Sequence, residues 1–333
     1  MDQPFVSVII PTYNREESLL RTLDSLSQQT YPTERFEVII VDDGSPRPLD
    51  RARFPHYPFA LLVERQPNQG EVAARNWGVS HAHGELLVFL DDDITVAPVY
   101  LQVVVEGHLV EPQSIILGNI LPIVSENPTP LKKYLGKAIA TSLIDSNGLL
   151  QVSYIDCLSG IASIDRCGFL EIGQMRPLTS DGRNAWGGID LAYRASRYGY
   201  RFFRASSAVA YHHDASISSL TSYCLRMHKL SRSAHILFQK YPDIEGQIPM
   251  FSDKGIIRWN KDSPSLILRK LARQVISSPP ILRVMETLVP VLEERCPSAV
   301  VQERLYSWVS SAYIYRGYRE GLLESNQRPA HDV

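Results

Sequence analysis

Gly84-Glu85-Leu86-Leu87-Val88-Phe89-Leu90-Asp91-Asp92-Asp93 carries a run of apolar residues directly into three consecutive carboxylates. An apolar run of this length, bounded by Gly84 on one side and acids on the other, suits a parallel strand covered on both faces. Sheets of that kind bind ligands beyond the carboxyl ends of their strands. If the extended backbone continues through the acids, Asp91 and Asp93 project to one face and Asp92 to the other, because strand side chains alternate. Two carboxylates meeting at one point would repel each other unless a divalent cation took them as hard oxygen ligands and kept positions open for phosphate. An acidic loop with a helix cap competes for the same residues, since Asp is common in both. The buried strand before them, and the partners described next, favour the cation.

Outward from this strand the chain alternates between strand and helix patterns. Phe5 to Ile10 has the branching of a first strand, stopped by Pro11. Asn14 and Glu17 have capping-box spacing ahead of Leu19, Leu20, Leu23 and Leu26, which recur at helical period. Phe36 to Val41 reads as a second strand closed by Asp42-Asp43-Gly44-Ser45, and Phe59 to Val63 as a third. A helix through Val72, Ala73, Arg75, Asn76 and Trp77 leads back to the opening strand. This order predicts an α/β fold with a mostly parallel, Rossmann-like sheet flanked by helices. Past Pro98 come a helix and a strand over Ile115 to Ile120, then a segment from Ser125 to Leu150 read as a helix lying over the site. Beyond Ser216 only helix patterns remain, and Ser263 before Pro264 is a good helix start. The expected domains are therefore an α/β body over 1–215 and an appended helical module over 216–333.

The 333 residues allow one large domain or two ordinary ones, and a net charge of -2 gives no electrostatic reason to expect nucleic acid. Cys157, Cys167, Cys224 and Cys296 show neither close pairing nor zinc-finger spacing, which points to reduced thiols in a cytoplasmic protein. The amino terminus lacks the features of a signal peptide, and no run approaches the roughly 18 apolar residues of a spanning helix. Apolar stripes in the tail, such as Leu220, Tyr223, Met227 and Leu230, are most simply packing surfaces. They also offer a surface for peripheral membrane contact or for a homo-oligomer.

Four segments in order, Val6 to Asn14, Val41 to Ser45, Ala73 to Gly78 and Phe89 to Asp93, together resemble the family-2 glycosyltransferases of GT-A fold. Each alone is weak, and the resemblance covers residues 4 to about 215. It implies a nucleotide-binding half over 1–120 and an acceptor-binding half over 121–215. It implies a metal-dependent, inverting enzyme that moves a sugar from a nucleotide donor, usually a UDP-sugar, to an acceptor hydroxyl, in polysaccharide, glycolipid or glycoconjugate synthesis. It assigns the nucleotide to Pro11, Thr12, Tyr13, Asp42 and Asp43, with Asp91 and Asp92 beside it, and Arg75 is within reach of phosphate from its helix. It gives the cation, Mn²⁺ or Mg²⁺, to Asp91 and Asp93, with a histidine from Tyr211-His212-His213-Asp214. Imidazole beside carboxylate suits Mn²⁺ better, and parity does not choose between His212 and His213. Trp186-Gly187-Gly188-Ile189-Asp190-Leu191 looks like the family's acceptor-side motif, which makes Asp190 the catalytic base, with Trp186, Gly187 and Gly188 beside the acceptor. Many relatives carry Glu where this chain has Ile189, a departure that bears on the acceptor. Gly160, within Ser159 to Ser163, falls in the loop expected under the donor sugar. Two other functions compete: a sugar nucleotidyltransferase, which has a Gly-rich loop where this chain has Pro11-Thr12-Tyr13-Asn14, and a catalytically inactive glycosyltransferase-like binding or scaffold protein.

Overall fold

The computed structural model describes residues 3–121, 129–139, 148–157, 159–179, 186–213, 217, 219–295 and 298–327. Four strands form the parallel half of the sheet, β1 (Val6–Thr12), β2 (Phe36–Asp42), β3 (Ala60–Arg65) and β4 (Leu86–Phe89), in the order β3-β2-β1-β4. Register places Thr12 opposite Asp42 and Asp42 opposite Arg65, so these side chains share one carboxyl edge. Alternation along the strands feeds two cores. Val8, Ile10, Val38, Ile40 and Val88 pack on one face with Leu19 and Leu23 of helix α1 (Glu16–Leu26). Ile9, Ile39, Val41, Leu87 and Phe89 pack on the other with Val72 and Ala74 of α2 (Glu71–Ser80). Burial on both faces is why these strands read as unbroken apolar runs.

The second half of the sheet is mixed. It comprises β5 (Ile94–Val96), β6 (Ser114–Leu121), β7 (Leu149–Gln151), β8 (Ala162–Asp165) and β9 (Arg201–His212). The order continues from β4 through β8, β6 and β9 to β5, with β7 also on β9. Strand β8 is antiparallel to both β4 and β6, while β6 and β9 are parallel. Helices α3 (Tyr100–Val110), α5 (Arg166–Glu171) and α6 (Gly187–Arg197) belong to this half.

The chain divides into two compact units, one of residues 1–123 and 137–214 and one of 124–136 and 215–333. The second is helical, with α7 (Leu220–Lys240), α8 (Pro264–Ile276), α9 (Pro279–Arg295) and α10 (Ala299–Gln327). Its core collects Cys224, Leu282, Met285, Val289, Tyr306 and Val309. A Cβ on Gly317 or Gly321 of α10 would overlap the carbonyl of His228 or Arg232 of α7, so the two glycines let these helices approach backbone to backbone. The unit also takes in residues 124–136, including most of α4 (Pro130–Ile139), a segment expected from the sequence in the acceptor half. Leu131 and Tyr134 explain the difference, because both pack against the helical core. The remainder of the helix expected through Leu143 lies outside the described residues.

Two local expectations are corrected. Asn14 does not cap α1: its φ is 55°, its N–H donates to Ser45 Oγ at 2.8 Å, and the helix starts from Arg15 without a side-chain cap. The extended backbone also does not continue through the acids. Strand β4 ends at Phe89, and Ile94 N–H bonds back to the Asp91 carbonyl at 3.2 Å, so the three acids lie in a turn rather than alternating across a sheet. The reversal delivers the chain into β5, which is antiparallel to β9.

Candidate active site

The acid turn sits beyond the carboxyl ends of β1 and β4, and each carboxylate meets different partners. Asp91 receives the Arg75 guanidinium at 2.5 Å. Its N–H donates to the Gly160 carbonyl at 3.1 Å, and a Cβ at Gly160 would overlap its carboxylate. Glycine is thus required where the loop carrying Gly160 closes on Asp91. Asp92 accepts from Thr12 Oγ1 at 2.6 Å and from Arg15 Nη1 at 3.3 Å. Asp93 accepts from the same Arg15 nitrogen at 2.9 Å and faces His212 Nε2 at 3.2 Å. Burial pushes the Asp92 carboxyl up to about 6, helped by Asp93 and Asp91 and opposed by Thr12 and Arg15.

Arg75 is buried and serves Asp91 and Glu71, which it approaches at 3.5 Å, so it orients a carboxylate where the sequence suggested contact with phosphate. Burial works against its charge, but those two acids outweigh it and hold its pKa above the ordinary value. The histidines separate by direction. His212, the last residue of β9, points to Asp93, whereas His213 turns its Nε2 to Thr95 Oγ1 at 2.8 Å and donates its backbone N–H to the Asp93 carbonyl.

The end of β2 is built from internal bonds. Asp42 accepts from Ser45 N–H at 2.8 Å and from Arg65 at 3.0 Å. Asp43 accepts from Gln66 Nε2 at 2.7 Å and from the N–H groups of Gln69 and Gly70 at 2.9 Å, which ties it to the start of α2. Gly44 between them and Ser45 has a φ of +75°, a conformation that favours glycine. These two aspartates therefore shape the floor of the edge, and Tyr13 and Arg65 are the exposed groups beside them. Arg15 and Arg65 belong to no motif in the sequence. Their signal was position: Arg15 follows the first strand's turn, and Arg65 ends a parallel strand in register with Asp42.

A divalent cation fits this cluster through two protein donors. Among the described residues no group of three or more His, Cys, Asp or Glu side chains converges as a metal site. Asp93 and His212 supply one carboxylate and one imidazole, a donor set suited to Mn²⁺ that leaves further positions for phosphate and water. Asp91 is engaged by Arg75 instead, and His213 by Thr95.

On the acceptor side Asp190 lies in the first turn of α6 and is fully buried. Arg194, one turn on, donates through Nε to its Oδ2 at 3.0 Å and also grips the carbonyls of Ile172 and Gln174 at 2.5 and 2.6 Å. The pair fastens α6 to the segment after α5, where the sequence suggested an open base. Trp186 is buried at the N-cap of α6 rather than offering a free face, and Gly188 packs against Ser159, next to Gly160. Gly187 is the first residue of the same helix.

Residues 7–156 match the family model described as glycosyl transferase family 2. The chain is 40% identical over 93 residues to the glycosyltransferase AglE of Haloferax volcanii, covering 27% of this chain and 31% of that protein. It is 32% identical over 164 residues to the Escherichia coli protein named UDP-Glc:alpha-D-GlcNAc-diphosphoundecaprenol beta-1,3-glucosyltransferase WfgD, covering 48% and 60%. The chain thus spans less than two thirds of the length of these curated relatives. Among solved structures it resembles the mannosyltransferase PcManGT of Pyrobaculum calidifontis in complex with GDP-Man and Mn²⁺, with a TM-score of 0.57 and 17% identity over 96% of this chain and 89% of that one. At that identity the likeness concerns the fold, which is GT-A. Residues 7–156 thus carry a glycosyltransferase family 2 domain.

Proposed function

We propose that the chain transfers a sugar from a nucleoside diphosphate donor, a UDP-sugar, to an acceptor hydroxyl of a glycan or glycolipid, with inversion at the anomeric carbon and the help of a divalent cation. The observation that carries this reading is the convergence of Thr12, Arg15, Asp92, Asp93 and His212 at the carboxyl end of the parallel strands. Asp93 and His212 would hold the cation, which when bound neutralises charge growing on the leaving diphosphate. Arg15, half-exposed, bridges Asp92 and Asp93 and so holds a guanidinium where phosphate oxygens would arrive. Pro11, Thr12, Tyr13 and Arg65 frame the nucleoside end, with Asp42 and Asp43 fixing the turn beneath them.

Single displacement is favoured because each acid of the cluster already has a partner. Asp91 has Arg75, Asp92 has Thr12 and Arg15, and Asp93 has Arg15 and His212, so none is held free for covalent attack on the sugar. Asp190 enters as a positioning residue: its carboxylate holds Arg194, and through it the α6 turn on the acceptor side. UDP as the donor's nucleotide is supported by the E. coli relative named for UDP-Glc, while the mannosyltransferase with GDP-Man makes GDP its competitor.

Incubation with Mn²⁺, simple glycoside acceptors and a panel of UDP-, GDP- and dTDP-sugars tests the reading. Release of UDP, and a product whose proton NMR shows the opposite anomeric configuration, is expected. Preferential release of GDP or dTDP would overturn the donor, a retained configuration the single displacement, and no release from any donor the transfer itself.

A further inference from the structure

Helix α8 is amphipathic but turned inside out. A surface helix in water ordinarily packs its apolar stripe inward and shows its charged side to solvent. In α8, Leu268 is 68% exposed and Val275 59%, and Leu271 and Ala272 between them are exposed as well. Positions 268, 271, 272 and 275 have the spacing of one helical face. The inward side carries cations beside half-buried Leu266, Ile267 and Ile276: Lys270 is 7% exposed, and its Nζ donates to the Ile256 carbonyl at 2.9 Å and to Asp262 at 2.7 Å. Arg273 reaches Asp253 at 2.8 Å. Two buried or half-buried cations hold the helix down while its apolar face is left open to solvent, an arrangement that costs free energy unless something covers that face.

The pattern extends to both sides of α8. Trp259, just before it, is 69% exposed. In α9, Ile281, Val284, Leu288 and Val291 are exposed at helical spacing, while Leu282, Met285 and Val289 fill the core of the helical unit.

Charge identifies what covers the face. From Ile256 to Arg283 the sequence holds six basic residues, Arg258, Lys261, Arg269, Lys270, Arg273 and Arg283, and one acid, Asp262; Arg258, Lys270 and Arg273 are paired with Glu245, Asp262 and Asp253. Lys261, Arg269 and Arg283 are exposed and have no carboxylate partner among the described residues. A second copy meeting this face across a two-fold axis would set these cations against themselves. A negatively charged lipid surface would neutralise them while burying the apolar stripe, and an exposed tryptophan suits the water–lipid boundary. Among the described residues no helix is long and apolar enough to cross a membrane, so α8 would lie in the plane of the interface.

We propose that α8, with Trp259 before it and the exposed side of α9 after it, seats the chain on an anionic lipid surface. The apolar stripe dips below the headgroups, and Lys261, Arg269 and Arg283 contact their charges. The proposal is independent of the donor site and survives or fails apart from it.

Co-sedimentation of the purified full chain with vesicles tests it, using phosphatidylcholine alone and phosphatidylcholine mixed with phosphatidylglycerol. Binding to the anionic vesicles is expected to exceed binding to the neutral ones by at least about tenfold, and to weaken in high salt. Leu268→Glu with Val275→Glu should lower it at least about tenfold with an unchanged circular-dichroism melt, because both side chains point to solvent. Arg269→Glu with Arg283→Glu should erase the preference for anionic lipid. Binding by the Leu268→Glu, Val275→Glu variant equal to that of the parent, or no binding to either vesicle, would overturn the proposal. A dimer in sedimentation velocity that the same pair of substitutions disperses would assign the face to a second copy and overturn it too.

Discussion

Asp190 combines the motif position of a base with the surroundings of a buried ion pair. Its place in Trp186 to Leu191 reads as the base of an acceptor site, yet the side chain is fully buried and its Oδ2 is held by Arg194. Replacing it with Asn removes the charge that balances a guanidinium with little access to water. Breaking such a pair typically costs roughly 3 kcal/mol or more. Asp190→Asn is therefore expected to lower the thermal midpoint clearly, read by differential scanning fluorimetry. A parental midpoint together with a turnover loss of about a hundredfold would mark Asp190 as the base instead. The other site residues were legible in different degrees. Thr12 bonds Asp92 and Arg15 joins Asp92 to Asp93, whereas strand alternation had set Asp91 beside Asp93 and Asp92 on the other face. The choice of His212 over His213 was not legible, because it depends on where β9 ends and the chain begins to leave the sheet. Arg15 and Arg65 gave no signal in composition, since an exposed arginine looks the same in sequence whether or not a carboxylate waits across the sheet.

Elements whose periodicity is long and whose faces differ were readable from sequence. Strands β1, β2 and β4 carry unbroken apolar runs, Val8 to Ile10, Val38 to Val41 and Leu86 to Phe89, because both faces are covered, and α8 was marked at its start by Ser263, whose Oγ accepts from Leu266 N–H at 3.3 Å. The acid turn after β4 was not readable. A strand of four residues sets no strong alternation, and the reversal is fixed by β5 pairing with β9, more than a hundred residues later in the chain.

Helix α3 carries an element-level expectation for pH. His108 donates through Nε2 to Ser163 Oγ of β8 at 2.9 Å, because the Ser163 hydroxyl hydrogen is already given to the Ile116 carbonyl. Its Nδ1 is buried without a hydrogen-bond partner, and burial lowers the imidazole pKa from 6.5 to about 4, against a smaller upward pull from Asp165 and Ser163. The depressed value means that the unfolded chain takes up this proton first as pH falls. The stability His108 contributes is complete above about 6.5 and is lost progressively down to about 4, by at most about 3 kcal/mol. Denaturant midpoints should fall over that window, and His108→Gln should flatten the fall. An unchanged slope in the variant would remove His108 as its cause.

At the scale of the whole molecule, the sequence separates an α/β body from a helical tail near residue 215, and contacts divide the chain after Asp214. The exception is residues 124–136, which join the helical unit although their neighbours in sequence lie in the sheet unit. Periodicity identifies a helix there but carries no information about its partner, since Leu131 and Tyr134 are apolar residues that fit either core. The mixed half of the sheet was equally opaque, because β5, β7 and β8 have only three or four residues each and pair with distant strands.

The central claim is that Asp93 and His212 bring a divalent cation to the diphosphate of a nucleotide donor, and calorimetric titration of the full chain with UDP tests it most directly. In Mn²⁺, UDP should bind at least about tenfold tighter than in EDTA, about 1.4 kcal/mol. That difference should vanish in Asp93→Ala and in His212→Ala while the fold persists. Equal affinity in EDTA, or a Mn²⁺ effect that survives both substitutions, would contradict it.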